Sequence, residues 1–299
     1  MSKIFLTGAM GFVGSVLSRY LSSQGNEVIA LEHDLQLGRP LPDQAAILAQ
    51  GDIRDFPRLR EILSHYRPDA IIHLAAKAIV AEAQRDPYPT FDVNVNGTIA
   101  LLEAWHEASP DAYFLYFSTD KVYGNGLEKT ETDPVKASGI YESSKAAADL
   151  ITQAYGSLHP VAITRTCNIY GPGDRNSRII PNTIRQCLRG ETPVIYQKAG
   201  KREYIFIDDV CRIITSLVEK RQHGIWNIAS GLVLSNEQVV KEICKHFPTI
   251  QPRYAKSPPW LELDDQCLNT EKLCSSLDCL SFETFPSGIA RTVEWWRTQ

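Results

Sequence analysis

The chain has 299 residues, 43% hydrophobic and 22% charged, ordinary proportions for one large globular domain or two closely connected ones. Its net charge of -4 supplies no overall attraction to nucleic acid or anionic lipid, and neither is expected as a partner. No apolar run is long enough to cross a bilayer, so a helical membrane span is not expected either.

The first residues, Met1-Ser2-Lys3-Ile4-Phe5-Leu6-Thr7-Gly8, lack the apolar core of a signal peptide and enter a strand at 3–7. Gly8-Ala9-Met10-Gly11-Phe12-Val13-Gly14 turns that strand into a helix reaching about Ser23. Gly25-Asn26 ends the helix, and Glu27-Val28-Ile29-Ala30-Leu31 is a second strand with Glu32 following, eighteen positions after Gly14. Glycines are needed where backbone approaches a pyrophosphate at a helix N-terminus. An acid at the tip of the second strand accepts hydrogen bonds from the adenosine ribose and repels a 2′-phosphate, so the pattern favours NAD over NADP.

A third strand (46–49) leads to Gly51-Asp52-Ile53-Arg54-Asp55, where Asp52 either bonds the adenine amine or caps the helix beginning near Asp55. Ala70-Ile71-Ile72-His73-Leu74-Ala75-Ala76 is a fourth strand whose small final residues let a cofactor lie close. His73, inside this apolar run, reads as a packed core histidine, and Lys77 faces cofactor or solvent. Helical periodicity runs from about 89 to 108 through Val93, Val95, Ile99, Leu102 and Trp105. Asn94 and Asn96 within it are cofactor contacts or ordinary polar positions.

The aromatic run Tyr113-Phe114-Leu115-Tyr116-Phe117 is a buried strand that ends in Ser118-Thr119-Asp120-Lys121-Val122-Tyr123. Such a strand delivers hydroxyls, a carboxylate and an amine to the sheet edge where ligands bind in open α/β folds. A polar loop (124–138) precedes Tyr141-Glu142-Ser143-Ser144-Lys145, whose Tyr-x-x-x-Lys spacing sets both side chains on one helix face. Hydroxyl, phenol, amine and acid together point to proton and hydride chemistry at a carbinol carbon.

A sixth strand (161–164) completes an alternating βα rhythm, the signature of a doubly wound parallel sheet of Rossmann type. After Arg165 the rhythm changes: a loop at 168–174, helices near 180–189, 235–247 and 287–297, a strand at 194–196 and a proline-rich irregular stretch. Trp295 and Trp296 read as anchors of the last helix. The expected division is an NAD-binding domain at 1–166, with 203–230 returning to it, and a smaller C-terminal α/β substrate domain made of 167–202 and 231–299. The seven cysteines (Cys167, Cys187, Cys211, Cys244, Cys267, Cys274, Cys279) contain no C-x-x-C pair and are odd in number, as for reduced thiols in a cytoplasmic protein.

Gly8-x-x-Gly11-x-x-Gly14, Ser118, Tyr141-x-x-x-Lys145, Arg165-x-x-Asn168-x-Tyr170-Gly171-Pro172, Arg202-x-Tyr204-Ile205-x-Ile207-x-Asp209 and Thr292-Val293-Glu294-Trp295 run the length of the chain. Taken together they resemble the extended short-chain dehydrogenase/reductase family that acts on nucleotide sugars. The resemblance implies NAD as cofactor, a nucleotide-diphosphate sugar as substrate, and a homodimer built on the Tyr141 helix and its neighbour. Hydride abstraction from C4 of the sugar would use Tyr141 as base, Lys145 to lower the Tyr141 pKa, and Ser118 to hydrogen-bond the 4-oxygen. Cofactor contacts are expected at Gly8, Gly11, Phe12, Val13, Gly14, Glu32, Asp52, Ile53, Leu74, Ala75, Ala76, Asn94, Tyr141 and Lys145. Substrate contacts are expected at Lys77, Asn168, Arg178, Arg185 and Arg202, since guanidinium forks match diphosphate oxygens.

Thr119-Asp120-Lys121 is similar to the triplet of nucleotide-sugar 4,6-dehydratases, most of all those acting on CDP-glucose, which use an Asp-Lys pair. In that reading the C4 ketone makes the C5 proton acidic, Lys121 removes it, and Asp120 protonates the departing C6 hydroxyl. Unperturbed, a lysine near ~10.4 and an aspartate near ~3.9 are both in the wrong form at neutral pH, and a close ion pair would reinforce this. Around Arg202 the chain is closer to the dTDP- and UDP-sugar enzymes, so base and sugar stay open. A UDP-sugar 4-epimerase, which needs no Asp120, and a catalytically silent NAD-binding protein are the alternatives.

Overall fold

The computed structural model describes residues 1–33, 46–196, 198–256, 265–277 and 281–299. These fall into two compact units. The first is Met1–Val122, Val135–Arg165 and Cys211–Trp226; the second is Tyr123–Pro134, Thr166–Val210 and Asn227–Gln299. Cys279 and parts of the proline-rich stretch lie outside the described residues; among the described residues the other six cysteines form no disulfide. Among the described residues no helix is long and apolar enough to cross a membrane.

From the N-terminus, β1 (Lys3–Thr7), α1 (Phe12–Ser23), β2 (Glu27–Glu32), β3 (Ile47–Gln50), α2 (Phe56–Tyr66) and β4 (Ala70–His73) follow one another. Then come α3 (Val80–Arg85), α4 (Pro87–Phe91), a π turn (Asp92–Asn96), α5 (Gly97–Ala108) and β5 (Tyr113–Thr119). β5 ends in a 3₁₀ turn (Asp120–Tyr123), after which β6 (Gly126–Lys129), α6 (Ile140–Tyr155) and β7 (Val161–Thr166) are formed. The remainder is β8 (Asn168–Tyr170), α7 (Ile179–Leu188), β9 (Val194–Tyr196), β10 (Arg202–Phe206), α8 (Ile207–Glu219) and β11 (Gly224–Ile228). β12 (Val233–Leu234), α9 (Asn236–Cys244), β13 (Arg253–Ala255), β14 (Gln266–Leu268), α10 (Glu271–Ser276) and α11 (Phe285–Arg297) close the chain.

The main sheet has seven strands in the order β11-β7-β5-β4-β1-β2-β3, parallel from β5 through β3. The strand order reverses between β1 and β4, and in such sheets ligands bind beyond the carboxyl ends of the strands at that point. The central strands are apolar on both faces because helices cover both: Phe5, Ile29, Ile71 and Phe114 are fully buried against Leu59, Leu63, Leu101 and Trp105.

The second unit holds a three-stranded sheet, β12-β10-β8, and two parallel strand pairs, β13 with β9 and β14 with β6. Tyr170 anchors it, with ring centroids 5.4 Å from Phe206 and 5.2 Å from Phe285. The buried Glu203 carboxylate accepts from the Gly231 and Leu268 N–H groups at 2.8 and 2.9 Å, tying the loop before β12 and the end of β14 to β10.

Three local expectations need correction. The 168–174 loop begins with a strand, β8, because residues 168–170 pair with Tyr204–Phe206 of β10. The polar loop at 124–138 contains β6, whose partner β14 lies some 140 residues away and leaves no local pattern. The helix expected from 89 to 108 is interrupted by the π turn, closed by Gly97 N–H donating to Asp92 O.

Candidate active site

The glycine turn is shaped by what a side chain would strike. Gly8 has φ +72°, and a Cβ there would stand 2.8 Å from Ala75 N. A Cβ on Gly14 would stand 2.1 Å from Gly8 O, so β1 and α1 can meet only without one. α1 starts after Gly11 with no side-chain cap and no acid in its first turn. This bare, electropositive end fits a dinucleotide pyrophosphate. Glu32 stands at the end of β2 and accepts from His33 N at 3.0 Å.

Asp52 does not cap α2. The cap is Asp55, which accepts from Arg58 N at 3.1 Å. Asp52 is held by Arg54 instead, through Nε at 2.9 Å and Nη2 at 2.6 Å, and this hydrogen bonding lowers its pKa to about 2. Ile53 is buried, its side chain against Gly97.

Behind the turn runs a directional chain of hydrogen bonds. Thr98 Oγ1 donates to Asn94 O at 2.7 Å, so it must accept from His73 Nε2 at 2.9 Å. His73 Nδ1 then accepts from Thr7 Oγ1 at 2.8 Å, and Thr7 Oγ1 accepts from Ala75 N at 3.1 Å. His73 is a neutral core residue, as its apolar setting implies: burial, then the Lys145 charge, pulls its pKa down to about 3. Leu74, Ala75 and Ala76 are half-buried at the end of β4, and Lys77 is exposed.

Asn94 is turned into the fold. Its Oδ1 accepts from Lys77 N at 2.7 Å, and its Nδ2 donates to Lys77 O at 3.1 Å and Ser144 Oγ at 2.9 Å. Ser144 Oγ in turn donates to Tyr141 O at 2.7 Å, so the loop after β4 is braced against the tyrosine-bearing turn. Asn96 stays on the surface, donating to Asp92.

α6 sets Tyr141, Lys145 and Asp149 at i, i+4 and i+8, and all three are buried. Lys145 Nζ donates to Phe117 O at 2.6 Å and lies 4.3 Å from the Tyr116 ring centroid. Burial lowers its pKa to about 7, with the Asp149 charge pulling the other way. Ser118, at the end of β5, donates to Asp149 Oδ2 at 2.8 Å. Thr119 Oγ1 donates to Asp120 Oδ1 at 3.0 Å, and the Lys121 N–H turns back toward Thr119 Oγ1 at 3.4 Å. Asp120 is 6% exposed and Lys121 half-buried, and among the described residues neither forms an ion pair. Asp149 was not among the expected site residues; its i+8 spacing from Tyr141 was the available signal.

In the second unit, Asn168 Nδ2 donates to Glu203 O at 3.1 Å, Arg202 Nη1 to Lys201 O at 2.8 Å and Arg178 Nη1 to Ile169 O at 3.5 Å. Arg185 braces its own unit: it donates to Arg175 O, Asn176 O and Asn182 Oδ1 and stacks over Trp296. Arg175 lies over Trp295 in the same way, so the two tryptophans anchor α11 on one loop arginine and one arginine of α7.

The chain is 31% identical over 329 residues to the dTDP-glucose 4,6-dehydratase of Xanthomonas campestris pv. campestris, covering 100% of this chain and 94% of that one. Among solved structures it is similar to DesIV, a dTDP-glucose 4,6-dehydratase from Streptomyces venezuelae with NAD and TYD bound, at TM-score 0.88 and 30% identity over 99% and 97% of the two chains. It is also similar to a Thermus thermophilus UDP-glucose 4-epimerase in complex with NAD, at TM-score 0.89 and 25% identity over 99% of each chain. With residues 4–229 matching the family's model, the chain belongs to the NAD dependent epimerase/dehydratase family, and its cofactor is NAD.

Proposed function

We propose that the protein is a nucleotide-sugar 4,6-dehydratase, which turns a nucleotide-diphosphate hexose into its 4-keto-6-deoxy form with loss of one water. The observation that carries this reading is Asp120, a buried carboxylate two residues beyond Ser118, steadied by Thr119 and joined to no cation among the described residues. Epimerisation at C4 has no task for such an acid, whereas elimination across C5–C6 requires one. The similarity to dTDP-glucose 4,6-dehydratases along the whole chain supports the same choice.

When bound, NAD supplies hydride acceptance at C4 and hydride return at C6. Tyr141 takes the proton of the 4-hydroxyl and Lys145 sets its charge beside the phenolate; Ser118, expected to hold the 4-oxygen, instead donates its one proton to Asp149. With C4 a carbonyl, Lys121 takes the C5 proton and Asp120 gives a proton to the leaving C6 hydroxyl. Asn168, Arg178 and Arg202 are the residues we assign to the nucleotide diphosphate, with Arg185 holding the loop that leads to Arg178. A homodimer through α6 and α5 belongs to the same proposal and is tested by sedimentation.

A UDP-sugar 4-epimerase is the second reading, favoured by the similarity to the Thermus thermophilus enzyme. Incubating the NAD-bound protein with CDP-, dTDP-, UDP- and GDP-sugars and weighing the products separates the two. Loss of one water supports the dehydratase, an isobaric product with altered chromatography supports the epimerase, and no change with any sugar supports a silent NAD-binding protein. Asp120→Asn is expected to keep C4 oxidation while slowing water loss about a hundredfold or more. An unchanged rate of dehydration in that variant would overturn the role given to Asp120.

A further inference from the structure

Sulfur chemistry has no place in the proposed reaction, yet two cysteines of the second unit meet. Cys187 lies on the buried stripe of α7 with Ile180 and Ile184, and Cys244 ends the buried stripe of α9 with Val240 and Ile243. The two helices pack against each other and bring the thiols into contact, Cys187 as donor and Cys244 as acceptor. No sequence spacing announces the pair, because β9, β10, α8, β11 and β12 all lie between the two helices in the chain. The thiols are not equivalent. Their mutual hydrogen bond, and then burial, push the Cys187 thiol up, while the same bond draws the Cys244 thiol down. Cys244 is also the more open of the two, 9% exposed against 4%. The thiolate is the reactive form of cysteine, so Cys244 is the attacking sulfur and Cys187 the resolving one.

We infer that Cys187 and Cys244 form a redox modification site, in which a small hydroperoxide converts the two thiols into a disulfide that fastens α7 to α9. With hydrogen peroxide, the Cys244 sulfur attacks one peroxide oxygen, giving a sulfenic acid and one water. The Cys187 sulfur then attacks the Cys244 sulfur, forming the S–S bond and releasing the second water. The thiols lose two hydrogens and two electrons, and the peroxide takes them up. Dithiothreitol reverses the change by thiol–disulfide exchange and is itself oxidised. Thiols in contact stand farther apart than the about 2 Å of a disulfide bond, so closure draws the last turn of α7 toward α9. Arg185, in the turn that ends at Cys187 and Leu188, holds the loop at Arg175 and Asn176, and Arg178 is the residue from which α7 starts. Oxidation therefore disturbs the approach to the nucleotide diphosphate and weakens its binding, a consequence that rests on the nucleotide-sugar reading as the cross-link itself does not.

The test treats the NAD-bound protein with hydrogen peroxide and maps its peptides by mass. A pair of peptides joined through Cys187 and Cys244, lighter by two hydrogens and parted again by dithiothreitol, is expected. Closing so long a loop is expected to raise Tm by about 5 °C or more. Thiols that stay reduced, that pass to sulfinic acid without joining, or that pair with other cysteines would overturn the inference. Cys187→Ala and Cys244→Ala are each expected to abolish both the joined peptides and the rise in Tm, and a rise that persists in either would count against the site. Should the truncations fail to fold, Cys187→Val and Cys244→Val fill the space and replace them. Calorimetric titration with CDP, dTDP, UDP and GDP reads the consequence: the nucleotide that binds the reduced protein is expected to bind the oxidised one about threefold more weakly or worse, with recovery in dithiothreitol. Equal affinity in the two states would overturn the effect on the nucleotide. A reduced protein that binds none of the four would sink the nucleotide-sugar reading, and peptide mapping would still decide the cross-link.

Discussion

Replacing Lys145 by methionine keeps the length of the side chain and removes the amine, and the structure gives both the sign and the size of the result. Lys145 is 4% exposed, and burial takes its pKa from 10.5 to about 7. Between those values the unfolded chain carries a proton that the folded chain lacks, so stability rises with pH by up to ~1.4 kcal/mol per pH unit. Below pH 7 the whole deficit, roughly 5 kcal/mol, is present. Methionine abolishes it but forfeits the hydrogen bond to Phe117 O and the contact with the Tyr116 ring, together about 2–4 kcal/mol. At pH 6 the variant should therefore be more stable than wild type by about 1–3 kcal/mol, the advantage shrinking and then reversing as pH approaches 10.5. Urea unfolding followed by tryptophan fluorescence at pH 6, 8 and 10 measures this, with cofactor concentration fixed because a ligand of the folded state adds its own stabilisation. A difference between variant and wild type that stays constant over this range would refute the reasoning. The lysine would then hold its proton equally in both states.

His73 makes a matching prediction on the acid side. With its pKa lowered from 6.5 to about 3, the folded chain should lose up to ~1.4 kcal/mol per pH unit as pH falls through that window, and His73→Gln should flatten the loss. Parallel acid-unfolding curves for the two proteins would count against it. Gly14→Ala places a Cβ 2.1 Å from Gly8 O, a backbone atom that cannot swing aside. It should destabilise by about 1–3 kcal/mol and weaken NAD binding at least about tenfold. Calorimetric titration with NAD checks the second effect, and wild-type affinity would show that α1 can back away from β1 at no cost to the cofactor site.

Where backbone must take a path that a side chain would block, the sequence was plain: the Gly8, Gly11 and Gly14 turn and the acid at the end of β2 appear where the spacing places them. The Tyr141 and Lys145 pair was equally legible because helical periodicity is local, and the same periodicity extends to Asp149. What marks Asp149 out is Arg165, sixteen residues on, and a contact at that separation has no period to announce it. Asp52 illustrates a local ambiguity. Two aspartates three apart precede α2, and the choice between them fell to Arg54, which bridges Asp52 and Asp92 on different elements. β6 and β14 were invisible for a related reason, being short strands with only each other to pair with across most of the chain.

The π turn at Asp92–Asn96 carries a consequence for how this region tolerates insertion and deletion. A π turn holds one residue more than the α-helical turn it replaces, and each residue turns a helix by about 100°. Losing one residue here would restore a uniform spiral and swing the preceding side chains a quarter-circle or more around its axis. The carboxamide of Asn94 would then miss both the Lys77 backbone and Ser144. Point substitutions on the outer side, at Asn96 for instance, leave the phase intact. Length in this segment is therefore held more tightly than composition.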